Sequence, residues 1–231
     1  MRNSMYIPLA LGVVFLLAFI AKCNKKRSVI GLFLKVATSV CFIGTGALAA
    51  YHNHPDLKFP LLVIVGLVFG ILGDIFLDLK WLYTQHKDEY LYAGFTVFAI
   101  GHVFYCTAMG MRYGFGWKDF IFPVILGIIV VLFNVIIEKP SKQNFGKFRP
   151  AVLSYAFVLA FMAGCGLWAA FTVRTVETFM LAAGGVFFLL SDLVLSPMYF
   201  KPGSDTPLNF VINHVTYYLA QYLIAMSILF I

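Results

Sequence analysis

Asp74 and Asp192 each close an almost entirely apolar run, residues 66–74 and 184–192. Ionisable side chains among apolar neighbours are costly to keep, and such a residue is a functional hypothesis by default. Lys35, Asp78, His102 and His214 share that setting, and Asn134, Ser154, Tyr155, Asn213, Tyr217 and Gln221 add polar, uncharged groups. Two carboxylates in one low-dielectric pocket do not both ionise readily, so one keeps its proton and the pair offers an acid and a base. That chemistry suits acid-labile bonds such as acetals and vinyl ethers. The sequence has no G-x-S-x-G elbow, which argues against an ordinary serine lipase, and no H-E-x-x-H zinc motif. A metal site built from His102, His214, Asp74 and Asp192 stays open on residue types alone.

Each of these residues also has a structural reading. Asp74 can serve as the ion-pair partner of Lys35, orienting two helices and nothing more. Asp192 can bond to a neighbouring backbone group. His214 alone reads as a hydrogen-bonding helix contact. Asp78 shares a helix face with Asp74, four residues away, but lies closer to the interface.

The elements that position these groups are membrane helices. Of 231 residues, 61% are hydrophobic and only 12% charged, against about 25% charged in soluble domains. A span needs about 20 mostly apolar residues. Spans are predicted at residues 5–21, 29–51, 59–79, 91–110, 119–137, 150–171, 176–196 and 208–231. The expected fold is an all-α polytopic bundle of about eight transmembrane helices in a single domain, 1–231. The first run lacks a small-x-small cleavage site before the basic cluster and reads as a retained span. The four cysteines form no C-x-x-C pair, so neither a disulfide framework nor a zinc knuckle is indicated.

The net charge is +7, and its placement carries the meaning. One set of loops and helix ends holds Lys22, Lys25, Lys26, Arg27, Lys80, Lys87, Lys139, Lys142, Lys147, Arg149 and Lys201. The other holds Arg2, Lys58, Arg112, Lys118 and Arg174. The positive-inside rule makes the first side cytoplasmic and both termini non-cytoplasmic. Contact with anionic headgroups accounts for the basic residues, and no nucleic-acid partner is expected.

Residues 66–74 resemble 184–192. Next, Phe98, Ile100, His102, Val103 and Tyr105 match Phe210, Ile212, His214, Val215 and Tyr217 in order. The two matches suggest a parallel 4+4 internal repeat, with an axis along the membrane normal. Asp74 and Asp192 would then lie at similar depth, roughly 7–8 Å from the basic end of their spans. His102 and His214 need not correspond as well, because Pro207 and a shorter loop can shift the last span. Lys35, Asn134, Ser154 and Asn213 also fall in the cytoplasmic third, so a polar layer from most spans is expected there.

The run 66–74, the Gly101–Tyr105 segment, Ser191-Asp192 and the closing 216–221 segment, with Lys35, Pro150, Tyr155 and Met162, resemble the YhhN family of lysoplasmalogenase-like membrane enzymes. The resemblance covers nearly the whole chain. It implies eight helices and hydrolysis of the vinyl ether bond of lysoplasmalogens. Asp74 and Asp192 would be the catalytic pair, their acid and base roles unassigned. Lys35, Asp78, His102, Tyr105, Tyr155, Tyr217 and Gln221 would shape the substrate site, with Lys35 neutralising a carboxylate or holding the phosphate. No cofactor and no metal ion are called for. The expected partners are a lysophospholipid substrate and membrane lipids, in a bacterial inner membrane. The rival classes are a proton-coupled transporter, a metal-dependent lipid hydrolase, and a structural protein whose aspartates lock helices together.

Overall fold

The computed structural model describes residues 4, 6–23, 27–52 and 57–231, and within them all regular structure is helical. Eight long helices follow in order: α1 Tyr6–Cys23, α2 Val29–His52, α3 Lys58–Leu82, α4 Lys87–Tyr113, α5 Ile121–Glu138, α6 Arg149–Thr172, α7 Val176–Phe200 and α8 Pro207–Ser227. Helices are the economical way to cross a bilayer, since every backbone N–H and C=O is satisfied within the segment. Seven of them are long and apolar enough to span, so the chain is an integral multi-pass membrane protein. α8 falls short of that apolarity, and its surroundings explain why. More than half of it is buried, including Asn213, His214, Tyr217 and Gln221, against α7, α2, α3 and α1. An inner helix carries the polar groups that an outer helix would have to show to lipid.

α5 is the opposite case. Only Pro123 and Gly127 are buried on it, while Ile125, Ile129, Leu132 and Ile136 are about half exposed or more. It packs on α6 at the rim of the bundle.

Local chemistry fixes the helix ends. α4 stops at Gly114, whose φ of 63° is left-handed and favours glycine. α7 is capped by the Thr175 hydroxyl and α8 by that of Thr206, with Pro207 in the first turn. Loops tie the ends together. At the basic end Arg27 pairs with Asp205, Lys147 with Asp88, and Arg149 with Glu138. At the opposite end the buried Glu177 takes Arg112 Nε at 3.3 Å and the Tyr113 hydroxyl at 2.9 Å, joining α4 to α7.

Small residues set the depth of side-chain groups. A Cβ on Gly66 would lie 2.3 Å from the Tyr105 ring and 3.0 Å from the Gly101 carbonyl oxygen, so α3 and α4 touch backbone to backbone. In the similar α7–α8 pair, Gly184 faces Ala220 and Ile224. The residue of α8 that matches Gly101 in sequence is Asn213, two helical turns or roughly 10 Å away from Ala220. α8 is thus slid along α7 relative to α4 on α3. His102 ends against Phe188 and Tyr155, and His214 against Phe19 and Phe210.

Candidate active site

α2, α3, α7 and α8 bring their polar groups to one narrow cavity of about 40 Å³, whose wall includes Lys35, Asp74, Asp78, Asp192 and Tyr217. The two aspartates therefore do share a cavity, but their settings differ.

Asp74 is 2% exposed. Its Oδ2 accepts hydrogen bonds from the Ser39 hydroxyl at 2.7 Å and the Tyr217 hydroxyl at 2.8 Å. Its Oδ1 lies 3.4 Å from Lys35 Nζ. A second layer holds these donors. Gln221 Nε2 donates to the Tyr217 oxygen at 3.1 Å, and the Tyr105 hydroxyl donates to Gln221 Oε1 at 2.9 Å. The Tyr218 hydroxyl stands 3.1 Å from Ser39 Oγ. Hydrogen bonds to a charged group are worth about 1.5–3 kcal/mol each. Two hydroxyls and an ammonium thus match the needs of a carboxylate.

Asp192 is half-buried, and among the described residues it has no cation in contact. The Tyr155 hydroxyl faces its carboxyl group. Tyr155 in turn meets His102 Nε2 at 3.4 Å, and among the described residues the buried His102 Nδ1 has no partner. Asp192 also borders a second, apolar cavity of about 340 Å³ between α4, α5, α6 and α7, lined by residues such as Phe133, Val152, Leu159 and Leu190. Phe95, Tyr155, Asp192, Leu195 and Tyr199 belong to both walls. Phe133, Leu190 and Leu193 are 47%, 44% and 53% exposed, so this groove opens sideways toward lipid.

Several expectations need revision. Lys35 donates first to Asp78, at 2.9 Å, and is also within reach of Asp74. Asp78 is therefore an inward member of this ion-pair cluster. The polar layer is narrower than the sequence implied. Ser154 is exposed on the outer face of α6, while Asn134 lines the apolar groove and donates its Nδ2 to the Val130 carbonyl of its own helix. Asn213 does turn inward, but it bonds to Ser191. Tyr105, Gln221 and His102 stand behind the cavity wall and reach it only through Tyr217 and Tyr155. His102 and His214 pack against different neighbours, and among the described residues no three His, Cys, Asp or Glu side chains converge as a metal site. His214 Nδ1 is instead 2.8 Å from the Phe210 carbonyl of its own helix. Ser39 was missed, although its place one turn after Lys35 on α2 is a signal.

This architecture defines a polytopic helical membrane protein with a buried acidic cavity adjoined by an apolar side groove. Within that class, the sequence pattern of the YhhN family matches residues 30–228, and the chain belongs to that family. The chain is 29% identical over 168 residues to lysoplasmalogenase TMEM86A of Homo sapiens, and 30% identical to that of Bos taurus. Each match covers 71% of this chain and 64% of the relative, so the chain spans just under two thirds of the relatives' length. No solved structure matches it.

Proposed function

We propose that this protein hydrolyses the vinyl ether bond of lysoplasmalogens, releasing a fatty aldehyde and a glycerophospho headgroup. Its membrane setting, its family and the names of its relatives support the reading. The observation that carries it is the pair of unlike carboxyl groups on one cavity wall, one of them at the mouth of an apolar groove. The groove takes the alkenyl chain and delivers the double bond to Asp192.

The chemistry follows from the two settings. Asp192, with no cation in contact, is the general acid and protonates the β-carbon of the vinyl ether. This leaves an oxocarbenium ion at the carbon bonded to oxygen. Asp74 is the fixed negative charge, held by Ser39, Tyr217 and Lys35, that stabilises this cation and orients water. Water adds to the cationic carbon and returns a proton to Asp192. The resulting hemiacetal then collapses to aldehyde and glycerol hydroxyl. Atoms balance with one water consumed. Tyr155 positions Asp192, and Tyr105 and Gln221 position Tyr217. The basic end of the bundle faces the cytoplasm in this reading.

The test is aldehyde release from a lysoplasmalogen by the purified, detergent-solubilised protein, with and without a chelator. Release that survives chelation supports the reading. A folded sample that releases none overturns it.

A further inference from the structure

Among the described residues two lysines are buried in this bundle, Lys35 and Lys80, at 5% and 8% exposure. Lys35 has two carboxylates. Lys80, in the last turn of α3, has none in contact, and among the described residues nothing accepts a hydrogen bond from its Nζ. Its ammonium rests on aromatic faces, 3.0 Å from the Tyr199 ring centroid and 4.5 Å from that of Trp81. A cation–π contact offsets only part of what desolvating an ammonium costs. The three donors of that ammonium remain unspent.

The space in front of Lys80 is a cavity of about 470 Å³ at the basic end, between the α3–α4 turn, the α5–α6 loop and the end of α7. Lys87 and Lys147 also line it. Lys147 is already paired with Asp88, so Lys80 is its buried, uncommitted cation. Trp81 and Tyr199 belong to both this cavity and the acidic one, and Tyr199 also borders the apolar groove. Tyr199 lies two turns along α7 from Asp192, roughly 10 Å, a span that an extended glycerophosphate arm bridges.

We propose that this vestibule binds the phosphodiester of a lysophospholipid, with Lys80 as its principal contact. The proposal rests on the hydrolase reading for the position of the rest of the lipid. It removes the phosphate role from Lys35, whose donors go to Asp78 and Asp74. The anion enters from the headgroup layer, the glycerol passes Tyr199, and the chain lies in the side groove.

The test is binding without turnover. A non-cleavable 1-alkyl lysophosphoethanolamine and the 1-alkylglycerol of the same chain are titrated against wild type, Lys80→Gln and Lys80→Arg, following tryptophan fluorescence in detergent. Wild type should prefer the phospholipid by at least about tenfold, the scale of one charge-assisted contact. Lys80→Arg should keep most of the preference and Lys80→Gln should lose it, with alkylglycerol affinity unchanged. A Lys80→Gln protein that retains the preference overturns the proposal. So does inorganic phosphate that saturates the wild-type fluorescence change at the same concentration as the phospholipid. Should Lys80→Gln fail to fold, the wild-type comparison decides alone, and equal affinity for the two lipids overturns the site. Phosphate preference without aldehyde release would sink the hydrolase reading and keep the site; aldehyde release without preference would sink the site alone.

Discussion

The Tyr217 hydroxyl donates to Asp74 Oδ2 across 2.8 Å, although the two residues are 143 positions apart in the chain. That bond ties inner helix α8 to α3 and occupies one lone pair of the carboxylate. Tyr217→Phe keeps the ring and deletes the donor. A hydrogen bond to a charged group is worth about 1.5–3 kcal/mol. Aldehyde release should fall by about tenfold or more, and the monodisperse elution of the protein should persist.

Asp74→Asn and Asp192→Asn preserve shape while removing the acid–base function proposed for the pair. Each should abolish turnover, and each protein should still insert and purify. Wild-type-like rates in both single variants would sink the mechanism.

The bare backbone contact between Gly66 and Gly101 leaves no room for a methyl group. Gly66→Ala should displace the Tyr105 ring and loosen its bond to Gln221. Overpacking costs about 1–3 kcal/mol. A lowered melting temperature in detergent should therefore accompany reduced activity.

Ala156 borders the apolar groove. Ala156→Phe should shorten the space for the chain. KM should rise for long alkenyl chains and stay near wild type for short ones, a split that a direct comparison of chain lengths reads out.

Glu177 binds Arg112 and Tyr113 at the end of the bundle far from the acidic cavity. Glu177→Gln should lower thermal stability, since it weakens a buried charged pair. Turnover per folded molecule should stay the same.

The spans were legible because hydrophobic length is written directly in the sequence. Asp74, Asp192 and Lys35 were legible because charge inside an apolar run has few innocent explanations. The Lys35–Asp74 ion pair was legible too, but the shorter contact of Lys35 with Asp78 was not. Lys35 reaches Asp78 as well as Asp74 because of how α2 docks on α3, a tertiary choice that spacing along one helix does not contain. Ser154 misled because depth along a helix says nothing of which face a residue occupies. Ser39 and Lys80 escaped notice for different reasons. A serine is unremarkable in a helix, and a lysine near a helix end reads as an interfacial anchor until its burial is seen.

α5 lies at the rim, and the apolar groove beside it opens toward acyl chains instead of water. A site filled from that direction is supplied by diffusion in two dimensions. The quantity that governs its occupancy is the mole fraction of substrate within one leaflet, and bulk molarity matters only through partitioning. Diluting the substrate with inert lipid at constant total amount should slow such an enzyme, as adding buffer would not. The composition of the surrounding leaflet then acts as a control on rate without touching the protein.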